Sequence, residues 1–184
     1  MAKGTNRRIE FGETPAARGA AGALTGSLAL GFGAAALTVV AAILPFLTLS
    51  LLGQSESTTL GGLLSGASPL QWPPALWMAL GGKAVLVLTE ILRVPFALGG
   101  GSRTGDGTLG FVAAVAGAVG IGGWVWMWAE LRTELSRANE DLGELADALG
   151  GLQVTPAIGF WVFVIAVALA AAAVLRRDRK PNAR

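Results

Sequence analysis

The chain has 184 residues, of which 53% are apolar and only 14% are charged, and its formal net charge is +2. Cysteine, histidine and tyrosine are all absent, which excludes disulfide bonds, thiol catalysis, iron–sulfur clusters and histidine-ligated haem or metals. Long uncharged runs separate the charged residues, and this composition is typical of a polytopic membrane protein.

The first segment is a basic tail over residues 1–23, and a long uncharged run follows it. No charged residue occurs between Arg18 and Glu56. This run is too long for the h-region of a signal peptide, which has about 7 to 15 residues. We therefore expect a first transmembrane helix over residues 24–47, which Pro45 should bend or end. Its many Gly, Ala and Ser residues are spaced so that another helix can approach closely.

The second transmembrane helix is expected over residues 73–94, because Pro73 and Pro74 suit the first turn of a helix. Residues 48–72, which precede it, are rich in Ser, Thr, Gly and Leu and lack the continuous hydrophobicity of a span. They predict a partly ordered external loop. The glycine-rich stretch that follows the second span predicts a short cytoplasmic turn over residues 95–107.

The third transmembrane helix is expected over residues 108–129, which carry no charge. These 22 residues reach about 33 Å at about 1.5 Å each, enough to cross a hydrocarbon core of about 30 Å. Beyond them, residues 130–153 predict a separate acidic amphipathic helix on the outer side. Its apolar residues recur at spacings of three and four and form one stripe. The stripe consists of Leu131, Leu135, Ala138, Leu142, Leu145 and Leu149.

The fourth transmembrane helix is expected over residues 154–175, with Pro156 near its start and a basic tail over residues 176–184. Eleven of the 14 Lys and Arg residues then lie on the side that holds both termini. The positive-inside rule makes this side cytoplasmic, in a plasma or inner cell membrane. Tryptophans favour the membrane–water interface, and all of them fall on the outer half of the spans. They are Trp72, Trp77, Trp124, Trp126, Trp128 and Trp161.

Three ionisable side chains fall at membrane depth, where a charge costs roughly 2.5–3.5 kcal/mol on insertion scales. They are Lys83, Glu90 and Arg93. One interpretation is a proton or ion pathway, since Lys83 and Glu90 are seven residues apart on one helix face. The other is structural: Arg93 reaches back to Glu90 as an i,i+3 pair. Lys83 would then extend outward to face a neighbouring subunit or a bound lipid.

Two interpretations also stay open for the leucine stripe. It could pack on the protein's own loop and the lipid interface, or it could bind a protein partner through Leu131, Leu135, Leu142, Leu145 and Leu149. A metal site is not expected there, because the segment lacks the closely alternating Asp and Asn residues and the turn glycine of a calcium loop.

Together these patterns predict an all-α integral membrane protein with four transmembrane spans and an extra amphipathic helix on the outer side. We expect a non-catalytic subunit that packs against and stabilises a larger membrane protein complex. Its expected partners are membrane lipids and other integral membrane subunits, with no nucleic acid, cofactor or metal. The alternative function is a small transporter or proton- or ion-coupled protein that uses Lys83 and Glu90.

Overall fold

A computed structural model describes residues 15–51, 54–64, 73–98, 103–143, 151 and 153–178. Helices dominate the fold, and four of them are long and apolar enough to cross a membrane. The helices are α1 (Pro15–Ile43), α2 (Leu60–Leu64), α3 (Pro74–Leu98), α4 (Arg103–Leu142) and α5 (Ile158–Asp178). Each predicted span overlaps one of the four long helices.

At one end of the bundle, prolines lie where α1 ends and where α3 begins, as the sequence predicts. The backbone N–H of Leu44 donates to Val40 O at 3.3 Å, and α1 then ends before Pro45. Helix α3 begins at Pro74, and the carbonyl of Pro73 accepts the first bond, from the N–H of Leu76 at 2.9 Å. Pro95, by contrast, lies inside α3, which continues to Leu98. The turn predicted over residues 95–107 is therefore shorter.

The structure contains a small antiparallel sheet, which the all-α prediction lacks. Its strands are β1 (Pro45–Leu51), β2 (Gln54–Thr59) and β3 (Gln153–Pro156), in the spatial order β2-β1-β3. The hairpin of β1 and β2 replaces the first part of the loop predicted over residues 48–72. Strand β3 occupies the start of the fourth predicted span, so α5 begins at Ile158 rather than at residue 154. We call the end of the bundle that carries these strands the sheet end.

Helix α4 is one continuous helix of 40 residues, about 60 Å long. The acidic segment is therefore not a separate helix over residues 130–153, because its residues up to Leu142 continue α4 without a break. We call residues 130–142 the α4 extension. Gly143 closes it with a positive φ of 53°, and its N–H donates to Asn139 O at 3.1 Å and to Glu140 O at 3.2 Å. Of the remainder of the segment, residues 144–150 and 152 lie outside the described residues, and Gln153 belongs to β3.

Small residues let the helices of this one chain pack closely together. A Cβ on Gly82 of α3 would lie 2.5 Å from Ala116 O and Gly120 N of α4. A Cβ on Gly123 of α4 would lie 2.6 Å from Ala75 O. The backbones of α3 and α4 thus approach to a distance that only glycine allows. These two glycines therefore pack against helices of the same chain.

Candidate functional site

Lys83 lies inside the bundle, among three aromatic rings from three other elements. The residue is only 5% exposed. The ammonium Nζ is 3.4 Å from the ring centroid of Phe46 in β1, 4.9 Å from that of Phe163 in α5 and 5.1 Å from that of Trp124 in α4. All three distances are within the range of cation–π attraction. We call these three rings the Lys83 cage.

The prediction that Lys83 extends outward to a neighbouring subunit or lipid is therefore wrong. Lys83 shares its helix face with Ala79, Leu86 and Glu90, all of which are buried, so the side chain points into the bundle. No described residue accepts a hydrogen bond from Nζ. The electrostatic attraction of the rings thus offsets part of the cost of burying the ammonium. No sequence signal links Lys83 to its cage, because Phe46 and Phe163 come from distant parts of the chain.

Glu90 and Arg93 form the i,i+3 pair that the sequence predicts. Arg93 Nη1 donates to Glu90 Oε2 at 2.8 Å and to Oε1 at 3.0 Å, and the two side chains are only 1% and 3% exposed. Arg93 Nη2 donates to Ser27 Oγ of α1 at 3.1 Å, and this hydroxyl donates to Ala173 O of α5 at 3.1 Å. The pair is therefore part of a hydrogen-bonded cluster that connects three helices.

Glycines make room for this cluster on the two neighbouring helices. A Cβ on Gly31 of α1 would overlap Glu90 Oε2, so only glycine lets the carboxylate lie against α1. A Cβ on Gly110 of α4 would lie 3.3 Å from Arg93 Cζ. Together with Ser27, these contacts place the pair against α1 and α4, and Ser27 connects it to α5. The pair thus serves the packing of the bundle, an arrangement that the sequence does not reveal because Ser27, Gly31 and Gly110 are ordinary small residues.

Apolar side chains separate Lys83 from Glu90. Leu86, one helical turn from each, is fully buried. A Cβ on Gly117 of α4 would lie 2.7 Å from Val167 Cγ2 and 2.9 Å from Leu86 Cδ1, so these side chains fill the space between α3, α4 and α5. A proton or ion pathway needs polar groups or water along its length. Within the described residues, the side chains shown between the two charges, Leu86 and Val167, are apolar instead.

The α4 extension presents the first half of the leucine stripe to the protein itself. Leu131 and Leu135 are partly buried and pack against the core that contains Val154 of β3. Leu142, one stripe position beyond Ala138, is 44% exposed. The stripe residues Leu145 and Leu149 lie outside the described residues. The extension therefore changes from a covered helix near Leu135 to an uncovered one at Leu142.

An open groove of about 450 Å³ lies between the α4 extension and β3. Trp128 lines the groove, and its Nε1–H donates to Val154 O at 3.3 Å. The guanidinium of Arg132 lies 5.5 Å from the Trp128 ring centroid. The other lining residues are Leu135, Ser136, Asn139, Gln153 and Thr155. Most of these are polar, so the groove is a polar junction between helix and sheet.

The predicted interface tryptophans fall into two groups. Those about half exposed are Trp77, Trp126 and Trp161. Trp124, in contrast, is only 2% exposed and stacks on Phe46, with the ring centroids 4.3 Å apart. It belongs to the core and to the Lys83 cage rather than to a membrane surface. Trp128 is partly buried against β3, and Trp72 lies outside the described residues.

In comparisons with known proteins, no family model, curated protein or solved structure matches this chain. Within the described ranges, no three His, Cys, Asp or Glu side chains are grouped closely enough to hold a metal ion. The features that bear on function are the two buried charge sites of α3, at Lys83 and at the pair of Glu90 with Arg93, and the α4 extension.

Proposed function

We propose that this chain is a non-catalytic integral membrane subunit that packs against and stabilises a larger membrane protein complex. The observation that carries the proposal is the α4 extension, which runs about 20 Å beyond the uncharged part of its helix and exposes Leu142. Glu134, Glu140 and Asp141 are exposed on the same segment. A rigid helix with a leucine on one face and carboxylates on the others favours a protein partner over anionic lipid.

The buried charges of α3 support the same proposal. Glu90 is already bound by Arg93, and Lys83 is enclosed by aromatic rings. Both sites join elements of the same chain, which is what a structural subunit requires of intramembrane charges. The alternative function, transport that uses Lys83 and Glu90, would need these groups to exchange partners with a substrate or with water.

Membrane lipids and other integral membrane subunits are the proposed surroundings, in a plasma or inner cell membrane with both termini cytoplasmic. The sheet end and the α4 extension would then be external. Because the chain has no cysteine, single cysteines report the orientation directly. Cysteines at Ser57 and Ser136 should react with an impermeant maleimide in intact cells, and cysteines at Ser102 and Asn182 should not. Labelling of the Ser102→Cys variant from outside would overturn this orientation.

The function is tested by purification from the native membrane in mild detergent, followed by mass spectrometry of the co-purifying subunits. Leu142→Ser should remove those subunits without changing the melting temperature, because Leu142 is half exposed. Thr133→Ala is the matched control, since Thr133 lies nine residues away, on the opposite face of the same helix. Leu135→Ser should instead lower the melting temperature, because Leu135 packs against the chain's own core.

Two results would overturn the proposal. The first is wild-type protein that carries no other subunit out of its native membrane. The second is an ion or proton flux in proteoliposomes that disappears in Glu90→Gln or Lys83→Met while folding is intact. That result would establish the transport alternative.

A further inference from the structure

The groove between the α4 extension and β3 carries a positive charge. Among the residues that line it, Arg132 is charged and none is a carboxylate. The uncharged polar residues of the lining are Ser136, Asn139, Gln153 and Thr155. Hydroxyl and amide groups can donate hydrogen bonds to oxygen, as the guanidinium does. The lining therefore suits an anion that has several oxygen atoms and one negative charge.

The carboxylates of the α4 extension do not neutralise Arg132. Glu130 and Glu134 are each two residues from Arg132, which puts them about 200° away around the helix. Glu134 is bound by Arg137 instead, at 2.7 Å. In the described part of the chain, no ion pair joins Arg132 to a carboxylate. Its charge is thus available to a ligand.

Trp128 positions the guanidinium of Arg132 beside the groove. The indole Nε1–H donates to Val154 O at 3.3 Å, so the ring is attached to β3. Arg132 lies one helical turn beyond Trp128, and its Cζ is 5.5 Å from the ring centroid, within the range of cation–π attraction. This attraction uses none of the N–H donors of the guanidinium. They remain for a ligand that accepts two parallel hydrogen bonds, as a phosphate does.

The depth of Arg132 in a membrane indicates where such a ligand comes from. Residues 108–129 of α4 are uncharged and about as long as the hydrocarbon core is thick, and Arg132 lies three residues, or about 4.5 Å, beyond them. The headgroup layer on each side of the core is about 5–8 Å thick. Trp126, half exposed on the same helix, is typical of this interface. Arg132 is therefore at the level of the lipid phosphates.

We propose that this groove binds the phosphodiester of a phospholipid headgroup, with Arg132 as its charge partner. A phosphodiester has one negative charge, which one guanidinium neutralises, whereas a phosphate monoester has about −1.5 to −2 at neutral pH. Ser136, Gln153 and Thr155 are exposed and can donate to the other phosphate oxygens. The outward carboxylates of the extension repel soluble anions, but acyl chains hold a lipid phosphate at this depth despite that repulsion.

The test compares Arg132→Gln with Arg137→Gln in the full chain, delipidated in a maltoside detergent. The probe is phosphatidylethanolamine, and native mass spectrometry measures its dissociation constant. Arg132→Gln should weaken binding at least tenfold, because it removes the charge of the groove. Arg137→Gln should change binding less than twofold, since Arg137 lies about 140° around the helix from Arg132. Equal binding by the two variants would overturn the proposal.

Two further probes identify the recognised group. Diacylglycerol with the same acyl chains lacks the phosphate, and glycerophosphoethanolamine has the phosphodiester without acyl chains. Each should bind the wild type at least tenfold more weakly than phosphatidylethanolamine does. If diacylglycerol binds as tightly, the chain does not recognise the phosphate. If the soluble diester binds as tightly, the ligand is a soluble anion. Either result contradicts the proposal.

A second pair of variants keeps Arg132 in place and applies if Arg132→Gln does not fold. Gln153→Glu adds a carboxylate to the lining of the groove, whereas Ser57→Glu adds one to β2 of the same sheet, and both positions are exposed. Gln153→Glu should weaken phosphatidylethanolamine binding at least tenfold, and Ser57→Glu less than twofold. Similar effects of the two variants would refute the site. The isolated chain is measured, so the result does not depend on whether Leu142 binds another subunit.

Discussion

Replacing Glu90 by glutamine removes a charge from the buried cluster while keeping the size and shape of the side chain. Arg93, which is only 1% exposed, would lose the carboxylate that receives two hydrogen bonds from its Nη1. Removing one partner of a buried ion pair typically costs about 3–5 kcal/mol, because a charge stays buried without its counter-charge. We expect Glu90→Gln to lose stability in this range.

The chain offers a matched control with the same spacing and nearly the same geometry. Arg137 donates to Glu134 at 2.7 Å as an i,i+3 pair, but these side chains are 66% and 70% exposed. Solvent screens such a pair, so it contributes less than about 1 kcal/mol. Glu134→Gln should therefore leave stability almost unchanged. The difference between the two variants isolates the effect of burial from that of the salt bridge itself.

The assay is unfolding by titration with SDS from mild detergent micelles. It is followed by tryptophan fluorescence, to which the buried Trp124, stacked on Phe46, contributes. The double variant Glu90→Leu with Arg93→Met should recover most of the loss, since an apolar pair has no charge to desolvate. If Glu90→Gln costs no more than Glu134→Gln, the buried pair does not hold the helices together and the reasoning fails.

Two further variants test the packing and the cage. Gly82→Ala should destabilise the bundle by about 1–3 kcal/mol, because the added Cβ would meet the backbone of α4. The control is the adjacent Gly81→Ala, whose Cβ would have no atom within 4 Å. It should change the free energy of unfolding by less than about 0.5 kcal/mol. Equal effects in thermal unfolding would contradict the close approach of α3 and α4. Lys83→Met should leave the free energy of unfolding unchanged or raise it by about 1 kcal/mol, since the rings offset only part of the burial cost that the substitution relieves. A loss above about 3 kcal/mol in the same assay would point to a counter-charge on Lys83.

The outer part of α4 shows how far the pattern of apolar residues reaches. Its spacing of three and four correctly predicts helix up to Leu142, and the same spacing continues to Leu149 beyond the described residues. It does not reveal that the helix is continuous with the third span, because neither Ala129 nor Glu130 has a strong signal to end or begin a helix. The pattern also does not reveal which leucines are covered, since Leu135 packs against a core that distant parts of the chain build.

The sequence by itself determined the features that depend on neighbouring residues. Four apolar helices follow from uncharged runs that satisfy their own backbone hydrogen bonds, and the pair of Glu90 with Arg93 follows from one helical turn. Only the tertiary structure decided the rest. Strand β1 pairs Leu49 with Val154, and Lys83 is enclosed by Phe46, Trp124 and Phe163. Such contacts join residues that are far apart in the chain, and their energies depend on how the helices pack rather than on any short stretch of sequence.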